Sequence, residues 1–133
     1  MNCEADVTVI FDTDVVVWYE KRNLAAARLI DEADAKYISA QTYMEFLQGA
    51  QSPADIQVMK DFLHVLDFQI LPLTENIGHR ASIYIEEYAV TSGLRAGDAI
   101  IAATAVENNL VLATGNRKHF KSLRELKIKH FVP

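Results

Sequence analysis

A chain of 133 residues favours a single domain and is long enough to bury well over half of its unfolded surface. Half its residues are hydrophobic and 23% are charged, an ordinary globular balance; no apolar stretch nears the ~18 residues of a membrane span, and Met1-Asn2-Cys3-Glu4-Ala5-Asp6 lacks the basic start and apolar middle of a secretion signal. A net charge of −5 argues against coating nucleic acid by bulk electrostatics, and the lone Cys3 cannot form an internal disulfide, so a cytoplasmic location is expected and Cys3 is read as incidental.

Val7 to Phe11 reads as a strand, apolar except for Thr8, which suits a central parallel strand covered on both faces. Asn23 caps a helix expected to run to about Ala35, with Leu24, Ala27 and Ile30 on its inner face. Lys36 to Ala40 is a short β-like piece, and a helix from about Thr42 to Gly49 follows. Ser52-Pro53 starts the next helix, a capping hydroxyl followed by proline at the first position, with Ile56, Met59, Leu63 and Leu66 as its apolar stripe. Phe68 to Leu71 is a further short strand.

Thr74 opens a long helix with Ile77, Ala81, Tyr84, Ile85 and Tyr88 inward, and Gly93 ends it. Asp98 to Asn109 is an alanine-rich helix, Leu110 to Ala113 a strand, and Lys129 to Val132 a last strand, with Leu123 and Leu126 facing the core between them. Residues 116–133 hold six cations against Glu125, a local +5 that leaves −10 on the rest of the chain. Such a tail points to an anionic partner or to a solvated edge. Strands alternating with helices imply one α/β domain over 1–133, a central, mostly parallel sheet flanked by helices on both faces. Ligands in such folds bind beyond the carboxyl ends of the strands.

Four oxygen-bearing side chains fall at such ends or at helix starts: Asp12 after Val9-Ile10-Phe11, Glu45, Asp98, and Asn116 after Leu112-Ala113-Thr114. Hard divalent cations take oxygen ligands, largely carboxylates, and keep several waters. Each residue also has a local reading. Asp12 suits a turn or a helix cap, Asp98 a helix cap, Asn116 a turn, and Thr42-x-x-Glu45 a capping box. Asp14 is a further candidate ligand, and Thr13 a hydroxyl able to hold a ligand oxygen or to cap. Trp18 and Tyr19 suit either base stacking or a partly buried wall. His64, His79, His119 and His130 lack zinc-site spacing, and no phosphate-binding glycine loop is present.

The chain resembles PIN-domain ribonucleases, and among them the VapC-type toxins of type II toxin–antitoxin pairs. The matching segments are Val9-Ile10-Phe11-Asp12-Thr13, Met44-Glu45-Phe46-Leu47-Gln48-Gly49, Asp98-Ala99-Ile100-Ile101-Ala102-Ala103-Thr104-Ala105, and Leu112-Ala113-Thr114-Gly115-Asn116-Arg117-Lys118-His119-Phe120. The resemblance implies a single PIN-like α/β domain and a metal-dependent endoribonuclease toxin acting on RNA. It also implies a homodimer and neutralisation by a cognate VapB-like antitoxin. By it Asp12, Glu45, Asp98 and Asn116 are the catalytic residues. By it too Asp12 and Asp98 are the chief ligands of Mg²⁺ or Mn²⁺, and the products carry a 5′-phosphate and a 3′-hydroxyl; Glu45, Asn116 and, outside the family pattern, Asp14 are candidates for further ligands.

Three positions depart from the family pattern. Asn116 stands where many members have a fourth aspartate, Gly115 replaces a larger polar residue, and Asp14 is an extra acid. Phe46, Leu47, Met59 and Phe62 are read either as a groove for an antitoxin helix or as core. Two other functions compete. Phe11-Asp12-Thr13-Asp14 also looks like the opening of a haloacid-dehalogenase-type phosphatase, although Ala102 stands where that family pairs a second acid. A degenerate PIN fold serving as a binding module is the other.

Overall fold

The computed structural model describes residues 8–133, so Cys3 and the first residue of the expected opening strand lie outside the described residues. Five strands, β1 (Val9–Phe11), β2 (Lys36–Ser39), β3 (Phe68–Leu71), β4 (Val111–Thr114) and β5 (Ile128–His130), form one sheet in the order β3-β2-β1-β4-β5. Every pairing is parallel: Ile10 faces Tyr37 and Leu112, Phe11 faces Ala113, and Thr114 faces His130. The expected α/β architecture is therefore present.

Helices cover both faces. On one side lie α1 (Thr13–Glu20), α2 (Leu24–Asp31), α3 (Ala40–Gln48) and α4 (Pro53–Val65), burying Val15, Val16, Ile30, Phe46 and Leu63 against Val9, Phe11 and Ile38. On the other lie α5 (Glu75–Ser92) and α6 (Ala96–Glu107), packing Ile77, Tyr84, Ala99 and Ile101 with Ile10 and Leu112. Adjacent residues of β1 thus serve opposite cores, which is why the strand is apolar throughout. Ile10 and Phe11 are fully buried, each contributing roughly 1.5–3 kcal/mol of hydrophobic stabilisation. The one-turn helix α7 (Arg117–Phe120) follows β4 and is anchored by the buried Phe120.

Several boundaries differ from expectation. Helix α1 was not legible, because Val15-Val16-Val17 is a β-branched run that disfavours helix; the Asp12 side chain, accepting from the Thr13 N–H, caps it. Helix α2 ends at Asp31, and its inner face is Ala26 and Ile30, while Leu24 is 73% exposed. Helix α3 begins at Ala40 because Ser39, not Thr42, is its cap: Ser39 Oγ accepts from the Thr42 N–H at 2.9 Å. Phe46 and Met59 are buried in the core of this face, which is the second of their two expected roles. Ile56, placed on the α4 stripe, is exposed. By contrast, Ser52, Thr74 and Gly93 (φ 70°) start and stop their helices as their chemistry predicts.

The chain leaves β1 toward β2 and β3 on one side and returns to β4 and β5 on the other. The strand order therefore reverses between β1 and β4, and their carboxyl ends border the crevice where such sheets bind ligands.

Candidate functional site

Asp12 stands at that reversal. Its backbone N–H donates to Ala113 of β4 at 2.9 Å. Its carboxylate accepts from the Thr13 N–H at 2.8 Å and from Thr114 Oγ1 at 2.7 Å, so one side chain both caps α1 and ties β1 to β4. The residue is 5% exposed. Burial pushes its pKa from 3.8 to about 7; the Thr114 hydroxyl opposes that rise, and Asp14 and Asp98 add to it. An ionised carboxylate this dry is costly without a compensating cation.

Asp14 sits in the first turn of α1. Its Oδ2 accepts from the Gly115 N–H at 2.9 Å, while its Oδ1 is buried with no partner among the described residues. Burial raises its pKa, and the Gly115 N–H is the largest opposing influence. A Cβ at position 115 would lie 2.7 Å from Asp14 Oδ2. Two of the sequence departures are thus one feature: the extra acid occupies the space that the missing side chain leaves.

Glu45 projects from α3 and returns to no backbone N–H, so the capping-box reading is overturned. Its Oε1 accepts from Thr13 Oγ1 at 2.5 Å and its Oε2 from Gln41 Nε2 at 2.8 Å, with the Thr42 hydroxyl 3.1 Å from that of Thr13. Gly97 makes room for it, since a Cβ there would lie 2.7 Å from Glu45 Oε2. Asp98 lies in the first turn of α6, behind Arg95 at the cap position, so it is not the cap. Burial raises its pKa, the nearby His119 lowers it and Glu45 raises it. His119 Nδ1 stands 3.6 Å from Asp98 Oδ2.

The structure gathers Asp12, Asp14, Glu45 and Asp98 through shared partners and mutual fields. Asn116 is exposed at the start of α7; its backbone N–H donates to Thr114 Oγ1 at 2.9 Å, while its amide makes no hydrogen bond among the described residues. Thr114, Gln41 and His119 were not singled out from sequence as site residues. Gln41 was findable as the i−4 neighbour of Glu45 on one helix face. Thr114 required knowing that β1 and β4 are adjacent, and His119 that α7 folds back onto α6.

Among the described residues no group of three or more His, Cys, Asp or Glu side chains is arranged to hold a metal ion by itself. Mg²⁺ is commonly held by one or two carboxylates and several waters, so a preassembled trio is not required. The donor set fits a hard divalent cation: all-oxygen, mutually repelling acids, with the buried Asp14 Oδ1 unpartnered.

The chain matches the family model for the PIN domain over residues 9–126. It is 31% identical over 122 residues to Ribonuclease VapC1 of Methanocaldococcus jannaschii, covering 91% of this chain and 85% of that protein. Among solved structures it is similar to a chain of a toxin–antitoxin complex from Klebsiella pneumoniae, with a TM-score of 0.75 and 27% identity over 90% of this chain and 95% of that one. It shares its fold with a chain of VapBC2 from Rickettsia felis, solved bound to a DNA fragment from their promoter, at a TM-score of 0.78 and 20% identity, covering 95% of this chain and 100% of that one.

Proposed function

The chain belongs to the PIN-domain family, and from that premise we propose that it is a metal-dependent endoribonuclease toxin that hydrolyses RNA phosphodiester bonds and is neutralised by a cognate antitoxin. One observation carries the reading: a buried aspartate at the strand-order reversal, raised to about 7, in the field of Asp14 and Asp98. A relative named a ribonuclease and a neighbour solved as a toxin–antitoxin complex support the substrate and the partner.

Asp12 and Asp98 would hold Mg²⁺ or Mn²⁺, with Asp14 Oδ1, Glu45 and Asn116 as further oxygen donors. Such an ion supplies a more acidic bound water and offsets phosphodiester charge. The protein's own groups do the rest. Thr114 Oγ1 and the Thr13 N–H fix the orientation of the Asp12 carboxylate. Thr13 and Gln41 hold Glu45, leaving spare lone pairs on both its oxygens to orient a water or take its proton. Asn116, being neutral, can orient a water but cannot take a proton. The buried Phe120 anchors α7, which brings His119 Nδ1 within 3.6 Å of Asp98 Oδ2.

The decisive experiment compares RNA ends after induction of the protein and of its Asp12→Asn and Asp98→Asn variants, with chelated controls in vitro. New ends should appear with wild type only. Equal cleavage and toxicity from all three would sink the proposal. A homodimer is also proposed, to be read as twice the chain mass by light scattering.

A further inference from the structure

The six cations of residues 116–133 divide by position. Arg117, Lys118 and Lys121 are exposed on and just after α7, whose Phe120 is fully buried and whose His119 stands 3.6 Å from Asp98. Lys129 is exposed on β5, paired with Ala113, one residue before the His130–Thr114 pair and so at the same carboxyl end of the sheet. The remaining two lie elsewhere. Arg124 shares a cleft with Ile83, Tyr84 and Leu123 on the α5 side, and Lys127 precedes β5, its carbonyl accepting from the Leu112 N–H.

Among the described residues Arg80, which holds Glu107 and Glu125, is the only lysine or arginine in an ion pair, so what sets the four cations apart is their place beside the acids. The other residues of the chain carry −10, so the positive charge of this segment is concentrated beside the acids. An anionic polymer approaching four acids is repelled by them, and cations beside the acids offset that repulsion.

We infer that Arg117, Lys118, Lys121 and Lys129 form a phosphate track that seats the backbone of single-stranded RNA along the carboxyl edge of the sheet, next to the acids; this rests on the ribonuclease reading above. The contacts are to phosphates and set register without reading sequence.

The test is equilibrium binding of a fluorescein-labelled single-stranded RNA of mixed sequence to the full chain carrying Asp98→Asn, followed by anisotropy across a salt series. Losing three phosphate contacts flattens the slope of log K against log salt by about 2, so between about 50 and about 200 mM salt the parent weakens about twentyfold more than Arg117→Ala/Lys118→Ala/Lys121→Ala does. The Arg124→Ala/Lys127→Ala variant removes charge away from the track and keeps the parental slope. In the cleavage assay the triple variant raises KM far more than it lowers kcat. The inference is overturned if the parent does not bind the RNA, if the triple variant keeps the parental slope, or if Arg124→Ala/Lys127→Ala flattens it as much per charge. It is equally overturned if the triple variant binds RNA normally and loses only its antitoxin. A parent that binds with the predicted slope beside a wild type that cuts no RNA would instead sink the ribonuclease reading and leave the track standing.

Discussion

Replacing Asp12 with asparagine should stabilise the metal-free protein, and by an amount that grows with pH. The wild-type carboxyl is 5% exposed and its pKa rises from 3.8 to about 7, through burial first and then the Asp14 and Asp98 charges. Between those values the folded state keeps a proton that the unfolded state has released, so wild-type stability falls as pH climbs from 3.8 to about 7 and then levels. A shift of about 3 units at about 1.36 kcal/mol each amounts to ~4 kcal/mol. Asparagine carries no charge but gives up one of the two hydrogen bonds from Thr13 and Thr114, a loss of about 1 kcal/mol. The net gain above neutrality is ~3 kcal/mol, or about 10 °C in Tm for a domain of this size. Circular-dichroism melts in chelator, from about pH 4 to about pH 9, read it directly. Near pH 4 the wild type should melt slightly higher, and above pH 7 the variant should melt higher by that margin. Added divalent cation should then rescue the wild type, by about 2.7 kcal/mol at a hundredfold excess over Kd, and leave the variant unmoved. A gap independent of pH, or a wild type more stable above pH 7, would refute the assignment of Asp12 as a destabilised buried carboxyl.

Gly97→Ala places a Cβ 2.7 Å from Glu45 Oε2 and 3.1 Å from Gln41 Nε2. Helix propensity favours the change by up to about 1 kcal/mol, so Tm should hold or rise while RNA cleavage falls about tenfold or more, the loss typical of a displaced supporting group; undiminished cleavage would show that the position of Glu45 does not matter. Gly115→Ala, with its Cβ 2.7 Å from Asp14 Oδ2 and 3.3 Å from Phe131 O, should cost about 1–3 kcal/mol of stability in urea titrations, most of it recovered in Asp14→Ala/Gly115→Ala; simple additivity would contradict the pairing. Thr114→Val removes the hydroxyl that holds the Asp12 pKa down, so the acid limb of the pH–rate profile should move to higher pH, with about 1 kcal/mol of stability lost. An unmoved limb argues against Thr114 as the group that positions Asp12.

What could be read from the chain was what local chemistry decides. β1 and β4 were legible because strands covered on both faces are apolar throughout, and α5 because Thr74 and Gly93 bracket it. Helix α1 was hidden by its β-branched run, although its cap had been in view: Asp12 had been weighed as cap or ligand, and in the fold its carboxylate caps α1 while bonded to Thr114 of β4. Glu45 shows the converse. Ser39 and Thr42 both had capping chemistry, and the choice of Ser39 one turn earlier is what released Glu45 toward Thr13. The supports around the acids were illegible for a different reason. Thr114 meets Asp12 across 102 residues and Gly115 meets Asp14 across 101, separations that no local pattern encodes.

The separation of acids from cations in this site has a physical reason. A lysine or arginine within ion-pair distance of Asp12 or Asp98 would lower that carboxyl's pKa and remove the repulsion that draws in a divalent ion. Among the described residues only His119 stands that close, at 3.6 Å from Asp98, and Arg95 acts on Asp98 from farther off. The permanent cations sit just outside, on the exposed turns of α7 and on β5, unpaired among the described residues. Not being paired with the acids, they are free to attract a polyanion. Gly97 and Gly115 let the carboxylates crowd together from four helices and strands, and α7 adds positive charge at the rim without neutralising the centre. On the proposed function the two halves of the site should then separate by mutation, changes at Asp12 or Asp98 stopping cleavage and changes at Arg117, Lys118 or Lys121 weakening RNA binding.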